Sequence, residues 1–280
     1  MKVFISADME GASGVTGIND TEPGQPAYER FKKLLTRDVN AAIEGALKGG
    51  ARKVFVNDAH YWGRNLMIEE LNPKAELVSG SNKPLVMMEG IDKTFDAAFF
   101  IAYHAKAGTQ AAVMNHTMFW NVLNIQVNDE SVGEFGLSAI VAGHFGVPAV
   151  LVTGDDKMAK EALELLGNIE TVTVKKGINF VTARCLSPEE SSAKIKKAAE
   201  RALMHINEYR PYKIKIPIIF EIEFPWTSMA ATAALISGVT RKAPRMISFT
   251  AQDAVEGDQM LIAALQLANT ANIQALKNIP

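Results

Sequence analysis

The 280-residue chain has one cysteine, Cys185. That rules out an intrachain disulfide framework and fits a reducing compartment. It also lacks a charge excess: 29 Lys and Arg stand against 31 Asp and Glu, a net of −2, so the basic footprint of a nucleic-acid binder is missing. No apolar run is long enough to cross a bilayer. The most apolar region, residues 135–153, is broken by His144, Pro148 and several glycines. There is no phosphate-cradling P-loop pattern, and Arg64 is the one arginine near segments 8–11 and 57–60. The first residues follow a strand pattern rather than that of an export signal. The expected location is cytoplasmic, with no nucleic-acid and no membrane partner.

What the chain does have is the make-up of an ordinary globular protein, 48% apolar and 21% charged. A chain of this length buries roughly three quarters of its unfolded surface and needs no staples. Apolar strands alternate with amphipathic segments, which predicts an α/β fold of three layers: a largely parallel sheet with helices on both faces. Residues 28–48 carry Phe31, Leu35, Val39, Ala42, Ile43 and Ala46 at helical spacing, with Gly49-Gly50 as the stop. Further helices are predicted over 133–144, 156–166 and 256–271, and a strand over 149–153. Ser187-Pro188-Glu189-Glu190 reads as a helix start, with Ser as cap and Pro in the first turn. Strands are predicted over 216–224 and 245–250. Residues 1–280 are read as a single catalytic unit. A polar stretch around Tyr212 admits a boundary near 209–215 and a smaller second subdomain.

The chemistry gathers where strands end. Three apolar runs lead into Asp8-Met9-Glu10-Gly11, Asp58-Ala59-His60 and His104. Parallel strands share one carboxyl edge, where open α/β sheets bind ligands. Carboxylates and imidazoles collected there suit a divalent metal. Asp8 and Glu10 are two residues apart, so in extended backbone both point to one side. Each signal alone has an ordinary explanation: a polar strand end, a hydrogen-bonded loop histidine, or, for Glu134, a carboxylate complementing a helix dipole. Their coincidence favours a metal site. Asn115-His116-Thr117 adds a further imidazole. Gly154-Asp155-Asp156 follows a strand on the same edge, where Asp156 serves equally well as a helix cap. His144, His205 and Cys185 are read as structural, the cysteine as buried.

In their order and spacing, Asp8-Met9-Glu10-Gly11, Asn57-Asp58-Ala59-His60, Tyr103-His104-Ala105, Asn115-His116-Thr117 and Gly133-Glu134-Phe135-Gly136-Leu137 resemble the zinc-dependent D-aminopeptidases of the DppA type, the M55 peptidase family. The resemblance runs to about residue 200. It implies two Zn²⁺ per subunit, with Asp8, Glu10, His60, His104 and Glu134 as metal ligands and His116 as the catalytic histidine. It also implies release of an N-terminal D-amino acid from a short peptide by attack of a metal-activated water, within a homodecamer. Thr117 and Ser138 depart from the family pattern, which has Ser and Asn there. The rival readings are another dinuclear-metal amidohydrolase or phosphoesterase, and a non-catalytic peptide-binding module.

Overall fold

The computed structural model describes residues 1–276, with side chains described through residue 271. A seven-stranded sheet forms its centre, in the order β3-β2-β1-β4-β7-β8-β9. These strands are β1 (Lys2–Ala7), β2 (Lys53–Asp58), β3 (Ala75–Val78), β4 (Ala97–Tyr103), β7 (Ala149–Asp155), β8 (Glu170–Asn179) and β9 (Thr182–Cys185). All neighbours pair in parallel except the β8–β9 hairpin. Every residue of β4 and β7 is buried, which is why the central strands read as continuous apolar runs.

One face is covered by α2 (Tyr28–Lys48) packed against α5 (Pro188–Met204). Leu35, Val39 and Ile43 from α2 meet Val3 and Ile5 of the sheet and Ile195 and Leu203 of α5 in one core. The cap expected at Ser187 is present: its hydroxyl accepts from the Glu190 amide at 3.2 Å. The other face packs on α3 (Glu134–His144) and α4 (Asp156–Leu166), with Phe4, Phe100, Phe135 and Met158 in a second core.

That second core continues into a five-stranded antiparallel sheet, ordered β11-β12-β10-β5-β6. It is built from β5 (Asn124–Val127), β6 (Glu130–Ser131), β10 (Ile218–Glu223), β11 (Thr240–Ala243) and β12 (Met246–Ala251), with α6 (Thr227–Ala233) and α7 (Ala254–Leu276) packed on it. The expected α/β layering is present, and the antiparallel sheet adds to it. Its strands come from both sides of residues 209–215. The remaining helix, α1 (Ile18–Thr21), is one turn in the loop after β1.

Two sequence expectations are corrected. The cap of α4 is Asp155 rather than Asp156: its Oδ1 accepts from the amides of Lys157 and Met158 at 3.0 and 2.8 Å. Strand β7 runs two residues beyond the predicted 149–153, to Asp155, so the first free helical amides face Asp155. Cys185 is exposed, not buried, because it ends the edge strand β9.

Candidate metal centre and active site

In the central sheet, β1 has β2 and β3 on one side and β4 and β7 on the other. The winding reverses between β1 and β4, the topological switch point at which α/β sheets open a crevice. Asp8 follows β1, His60 follows β2 and His104 follows β4, so the three segments hang over that crevice on adjacent strands.

Glu10 reaches the crevice from a turn, not from extended backbone: the Ala12 amide donates to the Met9 carbonyl at 3.0 Å. The turn starts early because the chain presses against β4. The Gly11 amide donates to the Ala102 carbonyl at 2.7 Å, and a Cβ on Gly11 would stand 2.0 Å from the Tyr103 carbonyl oxygen. Only glycine fits there. The loop is also held from behind. Lys175 of β8, 1% exposed, donates from Nζ to the carbonyls of Glu10, Ala12 and Val15 at 2.5, 3.0 and 2.6 Å. Burial pulls its ammonium down to about 8. Asp38 of α2 takes the Ser13 amide and hydroxyl at 2.8 and 3.0 Å.

All six residues singled out in the sequence converge. His60 Nδ1 lies 3.3 Å from Asp8 Oδ1 and 3.0 Å from Glu10 Oε2. His104 Nε2 lies 3.5 Å from Asp8 Oδ2 and 3.3 Å from Glu134 Oε1. His116 Nε2 is 3.6 Å from the same Glu134 oxygen. Each imidazole spends its other nitrogen on a main-chain carbonyl: His60 on Thr21 at 3.0 Å, His104 on Ala105 at 3.0 Å and His116 on Met114 at 2.8 Å. Such bonds fix ring orientation and tautomer, as they do around ligated metals. The turn carrying His60 is pinned by Asp58, which accepts from the amides of Asn65 and Leu66 at 2.6 and 2.7 Å.

Whether these groups suit a metal is decided by what they leave unpaired. Asp8 Oδ2, Glu10 Oε2 and His104 Nε2 are buried and have no hydrogen-bond partner among the described residues. They approach neighbouring charged atoms without bonding geometry. Buried ionic atoms facing one another in this way are a standing cost that a cation removes. Asp8, Glu10 and His104 offer donor atoms within 4.8 Å of one another, as do His104, His116 and Glu134. The donor set of carboxylate oxygens and imidazole nitrogens fits zinc.

The charges are strongly coupled. Burial and the charge of Glu10 push the Asp8 carboxyl up to about 7. Burial also opposes ionisation of Glu10 and Glu134, but the neighbouring imidazoles, His60 for Glu10 and His104 for Glu134, outweigh it and hold both carboxyls below their ordinary range. Burial disfavours a charge on His60 and His104, yet Glu10 and Asp8 for the one, and Glu134 and Asp8 for the other, raise both well above the usual imidazole value. His116 goes the opposite way: burial, then the charge of His104, lowers it. The site thus keeps His116 neutral beside two imidazoles that bind protons or a metal.

A cavity of about 520 Å³ opens onto Asp8, Glu10, His60, His116 and Glu134. Trp120, 47% exposed, lines it and stacks on His116 with ring centres 4.1 Å apart. Neither Trp120 nor Lys175 was marked by the sequence. Their roles depend on contacts that no local pattern announces. Gly154, Asp155 and Asp156 do not line the cavity; Asp155 Oδ2 instead holds the Val113 amide at 2.8 Å. Thr117 and Ser138 are buried in support, accepting from the Ala107 amide at 3.2 Å and bonding the Tyr103 hydroxyl at 3.3 Å.

Comparison with known proteins agrees with this geometry. Residues 1–263 match the model of peptidase family M55, described as D-aminopeptidase. The D-aminopeptidase of Bacillus subtilis (strain 168) is 38% identical over 269 residues, covering 96% of this chain and 98% of the relative. A solved structure of the Zn-dependent D-aminopeptidase DppA from Bacillus subtilis, described as a self-compartmentalizing protease, matches with a TM-score of 0.94 at 38% identity, covering 96% of this chain and 98% of that one. A match across nearly the whole length, with the antiparallel sheet included, leaves one assignment: the chain belongs to the M55 family of D-aminopeptidases.

Proposed function

We propose that this protein is a zinc-dependent D-aminopeptidase that removes the N-terminal D-residue from short peptides. The observation that carries the reading is the convergence of Asp8, Glu10, His60, His104 and Glu134 on one crevice with buried donor atoms left unpaired. We assign these five as the residues that would hold two Zn²⁺ per subunit; among them Asp8 turns one oxygen toward His60 and the other toward His104. Bound zinc supplies an acidified water and a Lewis acid for the scissile carbonyl.

His116 is assigned the proton. Its Nδ1–H donates to Met114, which leaves Nε2 as the basic atom facing Glu134. Its lowered pKa keeps that nitrogen free to accept a proton from the attacking water and pass it to the departing amine. Stacking between His104 and Trp120 holds the ring in plane. His116 is close enough to Glu134 to be a ligand as well; we place it outside the ligand set because amide cleavage requires a group that protonates the leaving nitrogen.

The self-compartmentalizing description of the relative supports an assembly that encloses its active sites; we take it to be the homodecamer that the family resemblance implies, which would admit short peptides and exclude folded proteins. The single cysteine supports action in the cytoplasm. Among the described residues, no helix is long and apolar enough to cross a membrane. We treat residues 1–280 as one catalytic unit, because strands from both sides of residues 209–215 share the antiparallel sheet. Membership of the family does not favour the phosphoesterase or binding-module readings.

The test is metal content together with hydrolysis of D-Ala and L-Ala peptides and of a generic phosphoester, before and after chelation. Two zinc ions per subunit and chelator-sensitive cleavage of the D-peptides alone are expected. Phosphoester turnover, or peptide binding without cleavage, would defeat the reading.

A further inference from the structure

One wall of the cavity is not explained by the metal-binding cluster. Lys83 lines it and is the one lysine or arginine among the described residues that do so. Its Nζ donates to Asn57 Oδ1 at 2.8 Å and to the Asp58 carbonyl at 2.5 Å. An ammonium has three donors, so one remains. Both acceptors are neutral, and Lys83 forms no ion pair among the described residues. Burial disfavours its charge, and the nearby carboxylates of Asp58 and Glu89 offset that only in part, so an anion arriving in the cavity relieves the remaining cost.

The position is built. Gly63, at a φ of +63°, packs against the ammonium: a Cβ there would stand 2.4 Å from the Gly80 carbonyl oxygen, 2.9 Å from that of Asp58 and 2.8 Å from Lys83 Nζ. The place lies beside the metal-binding cluster: Lys83 holds the carbonyl of Asp58, two residues before His60, and Lys83, Asp58 and His60 line the same cavity. Asp8, Glu10 and Glu134 line the same cavity as Lys83, so a peptide whose amino end lies at the zinc-binding cluster can turn its free carboxylate toward Lys83.

We propose that Lys83 receives the free C-terminal carboxylate of the substrate, so that the site reads both ends of a short peptide. This rests on the D-aminopeptidase reading and adds to it a requirement for a free C-terminal carboxylate.

The experiment compares kcat/KM of the zinc-loaded enzyme for D-Ala-D-Ala and for its C-terminal amide, in the wild type, K83M and K83R. A charge-assisted contact predicts a preference for the acid of roughly 10- to 100-fold in the wild type. K83M brings the ratio to near parity, chiefly through a higher KM for the acid, and K83R keeps most of the preference. A wild type that cleaves acid and amide equally overturns the proposal, and so does a K83M that loses both substrates in the same proportion, since Lys83 would then only brace Asn57 and Asp58. Should K83M fail to fold, the wild-type ratio and K83R decide. Turnover of neither form defeats the D-aminopeptidase reading and this proposal with it, whereas turnover of both at parity defeats this proposal alone.

Discussion

The imidazoles of His104 and His116 stack face to face, ring centres 4.1 Å apart and planes 10° from parallel, yet burial and charge drive their proton affinities in opposite directions. One ring is surrounded by Asp8 and Glu134 and attracts cations; the other is kept neutral.

The two rings should therefore fail differently when removed. His116→Ala is expected to keep its zinc and lose about 10²- to 10⁴-fold in kcat, the usual worth of a positioned proton-transfer group. His104→Ala and His60→Ala are expected to lose metal as well as turnover. Metal analysis after dialysis, run beside kinetics, separates the cases. A His116→Ala protein that sheds its zinc would remove the division of roles.

Zinc affinity should rise with pH. Protons and zinc compete for His60 Nδ1 and His104 Nε2, and both groups hold protons well above the usual imidazole range. The competition therefore extends above pH 6.5 and strengthens as pH falls. Apparent affinity should drop about tenfold per pH unit for each proton displaced. Competition titrations with a chromophoric chelator between pH 6 and 9 measure the slope, and a flat profile would contradict the coupling.

Lys175→Met tests the brace behind Glu10. It leaves three main-chain carbonyls without their donor. An orphaned buried acceptor costs about 1–3 kcal/mol, and relief from burying an ammonium offsets part of that. A net loss of about 2 kcal/mol should lower the melting temperature of a chain this size by about 4–8 °C. Because the same carbonyls belong to the loop bearing Glu10, zinc affinity should weaken too. Thermal melts with and without zinc read both effects; an unchanged melt and unchanged affinity would show that the brace is dispensable.

Trp120 should matter through its ring. Stacking of this kind contributes about 0.5–1.5 kcal/mol, so Trp120→Ala is expected to lower kcat/KM by roughly 3- to 10-fold, with Trp120→Phe retaining most of it. Equal losses in the two variants would point to the indole nitrogen instead.

Much of the site could be read from the chain because its parts sit at strand ends. Asp8, His60 and His104 each follow an apolar run, and the parallel sheet turns that repeated position into proximity. Glu134 and His116 needed the family pattern, since a first-turn glutamate and a loop histidine are ordinary on their own. Lys175 stayed invisible because its partners lie 160–165 residues away. Cys185 misled because a cysteine usually packs inside, and nothing in its neighbours marked β9 as an edge. The antiparallel sheet was only half legible: its longer strands near 216–224 and 245–250 carry apolar runs, while β6 is two residues long and β5 and β11 four. Segments that short have no periodicity to detect.

Hydrogen bonding sets the separation of neighbouring strands at about 4.8 Å, and the segments bearing His60, Asp8 and His104 leave three consecutive ones, β2, β1 and β4. The backbone anchors of the donor set are thus spaced by the lattice of the sheet and not by the loops. Exchanging loops between relatives, or lengthening them, cannot re-gauge the pocket for an ion of another radius. Only the reach of the side chains can, so a designer seeking a different cation should begin by trading Asp8 for a longer acid and leave the scaffold alone.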